Sequence, residues 1–263
     1  MVTASRCRWL IATTVVLAVA ALPLVVFANH SWNGYHWART SNPFTLKVGN
    51  NLTTADWQSH LSQTASDWSQ SAELNMTVVA GQASNKRCRP TSGRDEVCNG
   101  SYGQNGWLGV AQVWISGSHI TQGTVKVNDT YFSMARYNNS AEREHVMCQE
   151  VGHTLGLDHQ DTSGASLNTC MDYYQNTSDS DLKSTTPNQH DYDELVTIYS
   201  HLDSTTTVGQ TVTRMPPAAS QVGLDNEENW GRLVHGSRAE GHSLYELDFG
   251  HGNKVLTFVT WAK

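Results

Sequence analysis

The stretch from Asn139 to His159, N-S-A-E-R-E-H-V-M-C-Q-E-V-G-H-T-L-G-L-D-H, constrains this chain more than any other. Asn139, with Glu142 three residues on, reads as a helix start: a side-chain cap and an acid near the positive end of the dipole. No proline interrupts before Pro187, so one helix can run to about Leu155. Residues four apart share a helix face, so Gln149 and His153 project together, with Glu150 between them in sequence. Gly156 can turn the chain out of the helix, and His159 follows three residues later. The spacing predicts two imidazoles and a carboxylate gathered around one point, the arrangement of an open, three-ligand catalytic metal site.

The fixed residues Glu150, His153, Gly156 and His159 spell E-x-x-H-x-x-G-x-x-H. This resembles the metzincin metallopeptidase signature, H-E-x-x-H-x-x-G-x-x-H, in every fixed position but the first, where this chain has Gln149. Cys170-Met171-Asp172-Tyr173 follows after a Ser/Thr/Gly-rich loop and resembles the family's methionine turn. The tyrosine two residues after the methionine is an astacin-like and serralysin-like feature, whereas the G-L-D-H ending is matrixin-like. The resemblance covers roughly residues 35–203 and is specific over 149–173.

The start of the chain carries Arg6 and Arg8, then an apolar run, then Val26-Phe27-Ala28. It reads as a secretory signal over residues 1–28 with cleavage after Ala28, an uncleaved anchor being the alternative. Removing it takes away two arginines and no acid, which leaves 15 basic against 24 acidic residues and a formal charge of −9. Such a surface argues against nucleic acid and anionic membranes as partners. Cys88, Cys98, Cys148 and Cys170 remain, an even number that in an exported chain reads as two disulfides with three connectivities open. Cys88–Cys98 and Cys148–Cys170 each close a short local loop and are the favoured pairing.

Taken in order, the chain shows a first strand region at residues 35–39 and 45–48. An amphipathic helix follows over 54–72, with Trp57, Leu61, Ala65, Trp68 and Ala72 at helical spacing. A strand over 74–79 leads to a polar loop over 81–106, then strands over 107–115 and 124–127. Asn188 to Leu202 reads as a helix. Residues 204–223 read as a Ser/Thr/Pro-rich linker, and 224–263 as a small β-hairpin appendage with strands at 246–249 and 255–261. An isolated hairpin is barely stable, so it should dock on the catalytic domain or form a small appendage. His36, His60, His119, His190, His201, His235, His242 and His251 show no recognisable ligand spacing. His145, two turns from His153, is too far along the axis to share its metal.

The resemblance implies an α+β fold for residues 29–203: a twisted, mostly parallel sheet with an antiparallel edge strand, packed on an active-site helix and a second helix. Below these would lie a small lower subdomain with the methionine turn and a C-terminal helix. It implies a secreted, monomeric metal-dependent endopeptidase acting on protein or peptide substrates, with no membrane association after signal cleavage. Zn2+ would be held by Gln149, His153 and His159, with another divalent metal allowed by Gln149. Glu150 would be the general base, Tyr173 the oxyanion stabiliser and Met171 the floor. Gly109, Val110 and Ala111, on the edge strand, would pair with substrate main chain. The alternative is a metzincin-fold binding protein that lost its metal through Gln149.

Overall fold

A computed structural model describes residues 30–210 and 223–263. The expected signal over 1–28 and the 211–222 part of the expected linker lie outside the described residues. The first strand region is two strands, β1 (His36–Trp37) and β2 (Phe44–Asn51). Helix α1 (Ala55–Trp68) follows, capped by the Thr54 side chain accepting from Trp57 N, with Trp57, Leu61, Ala65 and Trp68 buried. Then come β3 (Leu74–Ala80), β4 (Asp95–Gly100), β5 (Trp107–Ser116), β6 (His119–Asn128) and the single turn α2 (Asp129–Phe132).

Strand β4 corrects the reading of 81–106 as loop. It lies between β2 and β6, parallel to both. Its sequence, D-E-V-C-N-G, lacks strand character, yet Asp95, Glu96 and Asn99 are buried. Each has a side-chain partner: Thr154 donates to Asp95, Asn51 to Glu96, and Asn99 donates to Asp129. Buried polar groups are tolerated where they find such partners, so polarity here marks interior pairing rather than solvent.

Helix α3 (Ser140–Thr154) starts at the expected cap, with Asn139 Oδ1 accepting from Glu142 N at 2.8 Å. It ends where Gly156 takes φ +100°, and a Cβ there would meet Tyr35 O at 2.2 Å, so both conformation and space require glycine. Helix α4 (Gln189–Ile198) has a reciprocal capping box between Asn188 and Asp191. It stops short of the expected Leu202 because Arg39 draws the following backbone away, donating to the carbonyls of Tyr199 and His201. Leu202 is exposed.

The C-terminal part departs furthest from a two-stranded hairpin. It forms three strands, β7 (Arg232–Ser237), β8 (His242–Gly250) and β9 (Asn253–Trp261). The described strands make one sheet in the order β3-β2-β4-β6-β5-β9-β8-β7, with β1 alongside β6. The part up to β6 is parallel, β5 is antiparallel, and the sheet then continues through the three antiparallel C-terminal strands. Helices α1 and α3 cover one face over the main core. On the other face Trp107, Val110 and Trp114 of β5 pack with Leu224, Trp230, Tyr245, Val255, Val259 and Trp261. Each such buried side chain contributes roughly 1.5–3 kcal/mol, so the C-terminal strands are held by a core of their own. Among the described residues no helix is long and apolar enough to cross a membrane.

Candidate active site

The motif residues of α3 come together under β5. Gln149 and Glu150 are fully buried, and His153 and His159 nearly so. His153 Nδ1 donates to the Leu157 carbonyl at 2.9 Å, which leaves Nε2 with its lone pair free toward the site. The His159 ring stands edge-on to that of His153, centroids 4.6 Å apart. Neither His159 nitrogen has a hydrogen-bond partner, although Asp158 Oδ1 lies 3.2 Å from Nδ1. Burial holds both imidazoles below the ordinary histidine value, with their mutual repulsion adding to it for His153, so both are neutral. Burial would raise the Asp158 carboxyl, but the adjacent His159 and His235 imidazoles outweigh it and hold the group well below the carboxylate range.

The methionine turn lies beneath the helix. The disulfide Cys148–Cys170 ties it to α3, and Cys88–Cys98 anchors the approach to β4, so both favoured pairings are formed. Met171 fits where α3 has no side chain: a Cβ on Gly152 would meet its Sδ at 2.5 Å. Tyr173 is buried edge-on to His159, centroids 4.5 Å apart, and burial pushes its phenol up.

Gln149 is held at both ends of its amide. Its Nε2 donates to the carbonyls of Cys170 at 2.9 Å and Asp172 at 2.7 Å. Its Oε1 faces His242 Nε2 at 3.0 Å and Thr260 Oγ1 at 2.8 Å. Apart from His145 Nε2 of α3 at 3.5 Å, the partners of the nitrogen belong to the methionine turn, whereas both partners of the oxygen belong to the C-terminal strands. Those strands fill the rest of the centre. The His242 ring stacks on Tyr173 at 3.8 Å, and Phe258 stacks on His153 at 4.1 Å with an interplanar angle of 9°. Thr260 Oγ1 lies 2.7 Å from Glu150 Oε1, and burial raises the Glu150 carboxyl to about 8.

The edge expected to receive substrate is likewise taken. Gly109, Val110 and Ala111 pair with Thr260, Val259 and Phe258 of β9, so β5 is an interior strand in this conformation. Gly109 also lets β5 pass close over α3, since a Cβ would come within 2.6 Å of Val146 and 2.7 Å of Glu150 Oε1.

Sequence reasoning brought together Gln149, Glu150, His153, His159, Met171 and Tyr173, but missed His242, Phe258 and Thr260. The last three lie 89–111 residues beyond His153 and Gln149 in sequence, and no local signal ties them to the motif.

The sequence profile of the matrixin family matches residues 36–200. No curated protein sequence matches the chain. Among solved structures, myroilysin aligns at 15% identity with a TM-score of 0.35, over 65% of this chain and 98% of that one. High choriolytic enzyme 1, a hatching-enzyme zinc protease of the medaka fish Oryzias latipes, aligns at 8% identity with a TM-score of 0.36, over 64% and 96%. Likenesses this weak bear on neither substrate nor mechanism.

Proposed function

The chain belongs to the matrixin family of metallopeptidases, and on that premise we propose that it is a secreted metal-dependent endopeptidase held latent by its own C-terminal strands. One observation carries the latency. The strands β8 and β9 together engage the Gln149 oxygen, the Glu150 carboxyl and the main chain of Gly109–Ala111. These are the three things a peptidase of this design needs free.

The residues present fit a divalent ion. His153 offers Nε2, His159 has buried nitrogens without hydrogen bonds, and Gln149 is pre-oriented by the two methionine-turn carbonyls on its nitrogen. Such outer contacts are what orient a ligand toward a metal. In the covered state the donors of His242 and Thr260 stand where a cation would interact with Gln149 Oε1. With the strands displaced, that oxygen is left unpaired and turned into the site, and Gln149, His153 and His159 would hold Zn2+ or a harder divalent ion. When bound, the ion supplies polarisation of the scissile carbonyl and acidification of a water.

This chain's residues do the rest. Uncovering Glu150 rehydrates its carboxyl, which returns toward the ordinary carboxylate range and becomes a base at neutral pH. Glu150 then takes the proton of the attacking water and passes it to the leaving amine. The Tyr173 phenol, kept protonated, donates to the developing oxyanion. Gly109, Val110 and Ala111 offer substrate the hydrogen bonds that β9 now uses. Hydrolysis of casein with and without a chelator, by intact protein and by protein treated to displace its C-terminal strands, tests this reading. Absence of chelator-sensitive cleavage in both forms overturns it.

A further inference from the structure

Where β1 meets the start of β6 and the segment after α4, four side chains that the motif does not use converge. The His36 ring of β1, His201 beyond α4 and Asp203 bring one ligand atom each within 4.8 Å of one another, the one such group of three among the described residues. His36 Nε2 is 3.2 Å from His201 Nε2 and 3.5 Å from Asp203 Oδ1. His201 Nε2 is 3.7 Å and His119 Nε2 3.2 Å from that same oxygen. We propose that His36, His201 and Asp203 form a site for a borderline divalent ion, zinc in the first instance, with His119 Nε2 placed beside it on Asp203.

The chemistry around the cluster favours a cation over hydrogen bonds alone. His36 Nδ1 lies 2.7 Å from the Gly34 carbonyl, which can only accept, so the proton sits on Nδ1. Neutral His36 therefore turns the lone pair of Nε2 toward a carboxylate oxygen and another imidazole nitrogen. A ring nitrogen fixed on a backbone carbonyl, with the other aimed inward, is the usual support of a metal-bound histidine. Asp203 is oriented in the same way. Its Oδ2 accepts from Arg39 Nη1 at 3.0 Å and from Arg39 N at 3.1 Å, which leaves Oδ1 for the cluster. Three ring nitrogens then surround that one oxygen, and His36 Nε2, carrying no proton, cannot donate to it. Two imidazoles and one carboxylate are donors that zinc takes, with one coordination position left open.

The four residues come from β1, the start of β6 and the segment after α4, up to 167 residues apart. An ion there would clasp the first strand to the end of the parallel half of the fold. It is also reachable, since the His201 side chain is 54% exposed.

The full chain with His153→Ala and His159→Ala removes the motif centre and isolates this site. Native mass spectrometry after zinc addition should find one ion on that variant, and zinc should raise its melting temperature. Adding His201→Ala should weaken the remaining affinity by at least roughly the 10–100-fold that loss of a supporting contact costs and abolish the thermal shift. Because Asp203→Asn keeps the side-chain shape while removing its charge, it should do the same. Zinc occupancy and thermal shift that are unchanged by both His201→Ala and Asp203→Asn would overturn the assignment.

Discussion

Thr260 Oγ1 sits between two acceptors of the active-site helix, 2.8 Å from Gln149 Oε1 and 2.7 Å from Glu150 Oε1. A hydroxyl carries one proton and cannot donate to both. With the Glu150 carboxyl raised to about 8 by burial, the glutamic acid is protonated at neutral pH and can donate to Thr260, which then donates to Gln149. Glu150, Thr260 and Gln149 then form one hydrogen-bond chain that runs through β9 to the methionine turn. Thr260→Val keeps the shape and removes the link, leaving buried polar groups unpaired at a cost of about 1–3 kcal/mol. A thermal melt should show the loss, and peptide hydrolysis by the intact chain should rise.

Glu150→Ala should lower hydrolysis by the uncovered protein by about 10²–10⁴-fold while leaving its bound ion in place, because it removes a base and no ligand. Steady-state cleavage of a fluorogenic peptide, beside metal analysis of the same sample, measures both. Undiminished cleavage would remove Glu150 from the mechanism.

Gln149 is the one departure from the family signature. Counted along bonds, its amide oxygen is as far from Cα as the Nε2 of a histidine, so it can reach the same position. An amide oxygen is a harder donor than imidazole and suits zinc less well. Gln149→His should therefore tighten zinc binding in the uncovered protein, by an order of magnitude or so, and Gln149→Ala should weaken it. Competition with a chromophoric chelator ranks the three, and equal affinities would show that Gln149 is not a ligand.

Much of the site was legible because its residues are close in sequence: a helix face, a glycine exit and a methionine turn are local facts. The disulfides were legible for the same reason, each spanning a short loop. Strand β4 was not, because its buried Asp95, Glu96 and Asn99 look like solvent-facing residues until their partners at Thr154, Asn51 and Asp129 are placed. Nor was the role of the C-terminal strands, since no local pattern says that Thr260 meets Gln149 or that Phe258 lies on His153. His36, His119 and His201 show no ligand spacing in the sequence, and nothing local marks Asp203 as their partner. Their geometry is made by the sheet, which brings β1 to β6 and the end of α4 to both.

Two buried acids away from the metal centre set a pH dependence. Burial raises Asp95 to about 7 and Glu142 to about 8, from ordinary values of 3.8 and 4.5. Their folded values exceed their unfolded ones, so their stabilisation is full below the ordinary carboxylate range and is lost as pH rises through about 7 and 8. The buried histidines, such as His145, are lowered and act in the opposite sense, but only below the ordinary value of 6.5. Between pH 6.5 and 8.5 the melting temperature should therefore fall as pH rises, and Asp95→Asn and Glu142→Gln should each flatten the slope.

The central claim is that one chain carries both a peptidase site and the strands that cover it. Its most direct measurement is hydrolysis of a fluorogenic peptide by the intact chain, beside the same chain cut within residues 211–222 and freed of its C-terminal fragment. The account predicts little turnover while β9 is paired with β5, and turnover that appears when the fragment leaves and disappears with a chelator. Intact protein that cleaves as fast as the freed form would contradict it.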